Sequence, residues 1–232
     1  MFKFLLIMEI VLAVFSFCFG VVSSMFTLNK KRVPAFWTKM AASLCFLMIG
    51  FLNAFYSTDG VFAVGILAGL FYGFAGDAFL AAPSVLPGRP RLYQAGGVLC
   101  FAMGHVLYCA AMIGYYGISV WAFVFAALLL GGVILWTTAA KVKAGPLHLP
   151  GAIYMAFVSM MAGTALSILI THFSVSAVLF AAGGLLFVLS DTLLILNAFS
   201  PKKGLLLHYG VLMTYYPAQS LIALSLLLLA QH

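Results

Sequence analysis

The sequence predicts an all-α, polytopic membrane helix bundle of about eight transmembrane helices. Three observations predict it. The 232 residues are 66% hydrophobic and only 6% charged, against about 25% charged in soluble domains. The mean hydropathy is +1.21. The apolar runs are continuous, whereas membrane barrel strands alternate polar and apolar residues. At about 20 residues per span with short loops, the length accommodates eight helices. They form a single integral membrane domain, 1–232.

Taken in order, apolar runs bounded by charge, Pro or Gly place spans near 4–28, 37–57, 61–83, 95–115, 119–140, 151–171, 174–198 and 206–230. The first follows Lys3 as a signal peptide would. It runs for about 25 residues, however, lacks a clear A-x-A site and ends against Lys30-Lys31-Arg32, so it reads as a retained helix. The loops then alternate in character. Loops 1, 3, 5 and 7 hold Lys30, Lys31, Arg32, Arg89, Arg91, Lys141, Lys143, Lys202 and Lys203, and Lys39 sits just inside span 2. Loops 2, 4 and 6, around Asp59, Tyr116 and His172, hold no Lys or Arg. The positive-inside rule puts the odd loops in the cytoplasm and both termini outside. Minimal loops and the lack of a terminal retrieval signal favour a bacterial inner membrane. The net charge of +7 is thus a signature of membrane orientation, not of nucleic-acid binding. Cys18, Cys45, Cys100 and Cys109 all fall in apolar runs without a CxxC pattern, as small buried hydrophobes do.

Function is expected where polar groups enter these runs. Only four residues are acidic, and two of them, Asp77 in GLFYGFAGDAFLAAP and Asp191 in GGLLFVLSDTLLILNAF, lie deep in spans 3 and 7. A carboxylate at membrane depth costs roughly 2.5–3.5 kcal/mol on insertion scales, so such residues usually face a bundle interior and are functional. Both aspartates are expected about 9–11 Å inside the odd-loop face, at 1.5 Å per residue. His105 and Tyr108 in span 4, Tyr215, Tyr216 and Gln219 in span 8, Tyr154 in span 6 and Lys39 in span 2 converge on the same half. A weak repeat accompanies the agreement. Asp77 to His105 and Asp191 to Gln219 are both 28 residues; Lys39 precedes Asp77 by 38 and Tyr154 precedes Asp191 by 37. Spans 1–4 and 5–8 read as two parallel halves with a site at their interface.

Two close carboxyls do not both ionise readily, and one acid beside one carboxylate is what acid–base catalysis requires. His105 and Tyr108, three residues apart on one helix, face the same way. Asp77, His105 and Asp191 are also a conceivable zinc set, but no HExxH or HxxxH accompanies them. No G-x-S-x-G occurs, and Ser190 lies mid-helix, so its expected role is a hydrogen bond to helix backbone or to an aspartate. Pro217 is expected to kink span 8 and open space beside Gln219. Lys39, Arg89 and Arg91 suit a lipid phosphate, or serve as orientation charges alone.

GDAFLAAP, FAMGHVLY, GGLLFVLSDTLLILNAF and MTYYPAQSLI resemble, in order, the signature segments of the YhhN/lysoplasmalogenase family. The resemblance runs over most of the chain from Lys39 onward and leaves out span 1 and loops 1 and 5, so no head-group preference carries over. It implies an eight-helix membrane hydrolase that cleaves the vinyl ether of lysoplasmalogens to a fatty aldehyde and a glycerophospho-base. It implies a lysophospholipid substrate, membrane lipids as surroundings, and no cofactor. Asp77 and Asp191 fall on the family's acidic positions; His105, Tyr108, Ser190, Tyr215, Tyr216 and Gln219 fall on its motif positions. The residues alone leave three other classes open: a proton-coupled transporter, a zinc-dependent membrane lipid hydrolase and a structural or scaffold protein.

Overall fold

The computed structural model describes residues 2–86, 88–201 and 204–229. Lys202 and Lys203 of loop 7, and the last residue of the span expected at 206–230, lie outside the described residues. Within them are eight long helices and no strand: α1 (Phe2–Leu28), α2 (Arg32–Ala54), α3 (Gly60–Ala81), α4 (Pro90–Tyr116), α5 (Val120–Ala139), α6 (His148–Thr171), α7 (Val175–Phe199) and α8 (Leu205–Leu229). Each is long and apolar enough to cross a bilayer, where only helices and closed barrels satisfy every backbone polar group.

The helix boundaries follow local chemistry. α2, α4 and α6 begin at Arg32, Pro90 and His148, several residues ahead of the spans expected from 37, 95 and 151. The sequence there shows charge and proline, which reads as a boundary. Pro34, Pro90 and Pro150 instead sit in the first helical turn, where the missing N–H has no intrahelical partner to lose. On the opposite face, α3, α5 and α7 start from side-chain caps. Asp59 accepts from the Phe62 N–H (2.8 Å), Ser119 from Trp121 (3.3 Å) and Ser174 from Ala177 (3.1 Å), each occupying an orphan donor of the first turn.

α1 and α5 end alike. Lys30 and Lys141 adopt φ +58° and +54°. In each turn that N–H bonds the carbonyl three residues back, and the next N–H the carbonyl five back: Lys30 to Thr27 and Lys31 to Phe26, Lys141 to Thr138 and Val142 to Thr137. This is a Schellman closure with lysine at the left-handed position.

The repeat continues in the packing. α1 packs on α2, α2 on α3 and α3 on α4, as α5 does on α6, α6 on α7 and α7 on α8; across the halves α4 packs on α6 and α8 on α2. The α3–α4 crossing is built on Gly69 against Gly104 and Tyr108. The α7–α8 crossing is built on Gly183 against Ala218 and Ile222, each 114 residues further on. Asp77 and Asp191 are separated by the same 114 residues. Small residues make these close approaches possible because packing, not hydrophobic burial, holds helices together in lipid. Three contacts lack a counterpart in the other half: α3 packs on α8, α5 on α7 and α1 on α8, whereas α5 makes no close backbone approach to α4.

Candidate active site

The aspartates lie seven and eight residues inside the odd-loop ends of the spans Gly60–Ser84 and Val175–Phe199, roughly 10–12 Å deep. Both are buried, but they belong to two clusters, not to one carboxyl pair.

The first cluster is built by α2, α3, α4 and α8. Lys39 Nζ lies 3.0 Å from Asp77 Oδ1. Asp77 Oδ2 accepts from the Ser43 hydroxyl at 2.6 Å and from the Tyr215 hydroxyl at 2.7 Å. Gln219 Nε2 donates to the Tyr215 oxygen at 3.4 Å, and Gln219 Oε1 accepts from Tyr108 at 2.8 Å. Four helices are thereby tied to one carboxylate whose charge is matched by an ammonium. Lys39, seven residues inside α2, is 24% exposed. Tyr216 adds its ring, 5.0 Å from that of Tyr215 and seated against Gly20 of α1.

The second cluster is built by α4, α6 and α7. Tyr154 donates to Asp191 Oδ2 at 2.7 Å. His105 Nε2 stands 3.4 Å from the Tyr154 oxygen and 3.9 Å from Asp191 Oδ2. Because the Tyr154 proton is directed at Asp191, the tautomer that bonds Tyr154 carries its hydrogen on Nε2. His105 Nδ1 is buried with no hydrogen-bond partner, so its lone pair is free. No Lys or Arg meets Asp191 among the described residues, and nothing bonds its Oδ1.

Between the clusters stands Phe187, its ring centroid 4.5 Å from His105 and 5.5 Å from Tyr215. His105 and Tyr108 leave α4 as neighbours and part, His105 to Asp191 and Tyr108 to the Asp77 network. Ser190 joins neither carboxyl; its hydroxyl donates to the Val211 carbonyl of α8 at 3.2 Å. α8 runs on through Pro217, and no opening lies beside Gln219, which is 1% exposed and packed on Gly73. Asp77, His105 and Asp191 do not gather as ligands. Among the described residues no three His, Cys, Asp or Glu side chains group as a metal site.

Residues 34–226 match the family model of the YhhN family. The chain belongs to the YhhN family. All ten site residues expected from the sequence lie inside that YhhN match, and the whole of α1 precedes it. No curated protein matches the chain, and no solved structure does. Two residues were missed. Ser43 stands one turn from Lys39 on the same face of α2, a spacing that places it beside any partner of Lys39. Glu9, fully buried in α1 beside the Asn53 side chain, lies outside both clusters.

Proposed function

We propose that this protein hydrolyses the vinyl ether of a single-chain plasmalogen, with Asp191 as proton donor. The observation that carries the reading is the unequal treatment of two membrane-depth carboxyls. Asp77 is engaged on both oxygens by an ammonium and two hydroxyls. Asp191 has one hydroxyl on Oδ2 and an Oδ1 free to carry and deliver a proton. Within the second cluster Asp191 and His105 then divide the roles of acid and base.

In the proposed reaction the Asp191 Oδ1 proton is transferred to the β-carbon of the enol ether, and the C=C electron pair forms the new C–H bond. The positive charge spreads over the α-carbon and ether oxygen as an oxocarbenium ion, stabilised by the Asp191 carboxylate just formed. Water adds to the α-carbon while His105 Nδ1 accepts its proton. The hemiacetal collapses as the C–O bond to glycerol breaks. The glycerol oxygen takes up a proton, and the hemiacetal hydroxyl gives one up to leave the aldehyde. Proton return to Asp191 closes the cycle, with one water consumed. Tyr154 fixes the Asp191 rotamer. Lys39, seven residues inside α2 and partly exposed, suits the substrate phosphate, and the Asp77 network holds Lys39 and Tyr215 in place.

The test is aldehyde release from choline and ethanolamine lysoplasmalogens by purified protein, wild type beside Asp191→Asn. Release by the wild type and its loss in a folded variant support the reading. Folded wild type that releases none from either substrate overturns it. Activity lost to a chelator and restored by stoichiometric zinc transfers the chemistry to a metal.

A further inference from the structure

The two halves differ on the side that faces lipid. In the first, α1 packs on both α2 and α8. Gly20 seats the Tyr216 ring, and Ser24 Oγ lies 2.6 Å from His208 Nε2. In the second, α5 packs on α6 through Ala122 and Ala126 against Gly163 but makes no close backbone approach to α4, although only Gly117, Ile118 and Ser119 join the two. The seam that α1 closes beside α8 is therefore open between α5 and α4.

The floor of that opening is a stripe of α6. Ile153, Phe157, Met160 and Thr164 are spaced by four, three and four residues and share one face. At the even-loop end of the stripe Thr164 is buried, its hydroxyl 3.4 Å from Cys109 Sγ of α4. Two turns toward the odd-loop end, Phe157 is 42% and Ile153 51% exposed. α4 thus covers the upper stripe and leaves the lower one bare. Tyr154, the hydrogen-bond partner of Asp191, stands between Ile153 and Phe157 in sequence. Val106, next to His105, is exposed on α4. The bare stripe is apolar, and it ends beside Asp191, the carboxyl of the two clusters whose Oδ1 no hydrogen bond holds.

We infer that the gap between α4 and α5, floored by Ile153 and Phe157, is the lateral portal that admits the hydrocarbon chain of a single-chain glycerophospholipid from the bilayer. The inference rests on the hydrolase reading for what happens next, but not for what binds. A lipid whose phosphate stays at the odd-loop face has its ether linkage several ångströms below it. Asp191 is roughly 10–12 Å below the same face, eight residues at 1.5 Å each. The chain beyond the ether then lies along the stripe toward Thr164. The Asp77 cluster, closed to lipid by α1, has no such approach.

The experiment uses a saturated alkyl-ether lysolipid carrying a diazirine in its chain, so binding is read without vinyl-ether chemistry. After irradiation in detergent or nanodiscs, adducts are mapped by mass spectrometry in wild type, Phe157→Trp and Leu135→Trp, the last on an outer face of α5. Adducts concentrated on Val106, Phe157 and the facing residues of α5 are expected. Excess unlabelled lysolipid should compete with them, and labelling should fall several-fold in Phe157→Trp but not in Leu135→Trp. For turnover, Phe157→Trp raises KM at least fivefold and leaves kcat within twofold. Adducts spread evenly over the lipid-facing helices, adducts at the α1–α8 seam, or cross-links between two copies of the chain across this gap each overturn the portal. Competed labelling in the gap by a protein that releases no aldehyde keeps the portal and removes the hydrolase.

Discussion

Asp77 and Asp191 stand at matching points of α3 and α7, and their surroundings diverge at two corresponding positions. Where the first half has Lys39 on α2, the second has Tyr154 on α6. Where the first has Gly73, the second has Phe187, again 114 residues on. Gly73 leaves room for the Gln219 amide; a Cβ there would collide with Nε2. Phe187 fills the equivalent place against His105. So Gln219 is drawn into a closed ladder of hydroxyls beneath an ion pair. His105 is turned to a carboxyl with an open oxygen. One scaffold, repeated, yields one carboxylate with both oxygens engaged and one with an oxygen left open. Saturation is the mark of a structural anchor, because every removed partner strands another. An unsatisfied buried polar group persists where a ligand or reaction completes it.

The comparison breaks most readily at the carboxyls themselves. Asp191→Asn is expected to lower aldehyde release by about 10²–10⁴-fold, the range for a lost general acid, with the thermal unfolding profile retained. An active Asp191→Asn enzyme would end the assignment. Phe187→Ala removes the ring between the clusters. It should cost roughly 2–4 kcal/mol, through lost packing and not through the hydrophobic effect, which is absent between lipid-embedded helices. Unfolding in mixed micelles measures it, and a neutral result would mean the clusters do not depend on that ring for separation.

Asp77→Asn leaves Lys39 without its counter-charge. Because Lys39 is partly exposed, the expected loss is about 1–3 kcal/mol, below the 3–5 of a fully buried pair. The contrast sharpens if Asp77→Asn destabilises more than Asp191→Asn, and it collapses if the order is reversed. Tyr154→Phe removes the hydrogen bond to Asp191, a bond to a charged group only once the proton has left and worth about 1.5–3 kcal/mol at that stage. It should therefore slow kcat roughly 10–100-fold without matching loss of stability; an unchanged kcat would show that Tyr154 does not orient Asp191. Ser190→Ala is the smallest change. Losing one neutral bond from α7 to α8 costs about 0.5–1.5 kcal/mol, and turnover by the folded variant should stay within twofold. A large activity loss there would move Ser190 into the site.

Much of this was legible in the chain. Hydropathy gave eight helices, because a span must be continuous and apolar to cross lipid whatever its neighbours are. Spacing set Lys39 ahead of Asp77 and Tyr154 ahead of Asp191 by nearly equal intervals, because helices of fixed rise joined by short loops return matched positions to matched depths; that each is a bonded partner came from the structure. The first-turn prolines misled the boundaries, since proline breaks a helix interior but begins a helix freely.

What the sequence by itself determined is the bundle, its alternating basic loops, its internal repeat and the depth of its polar groups, all set by local composition and regular geometry. Only the tertiary structure decided that the two carboxyls form separate clusters, that His105 turns to Asp191 while Tyr108 turns to Gln219, and that α5 stays clear of α4. Those outcomes depend on which helix faces approach closely. In a bilayer lipid is as apolar as leucine, so hydropathy does not choose among faces; the choice falls to single small residues such as Gly73 and single rings such as Phe187.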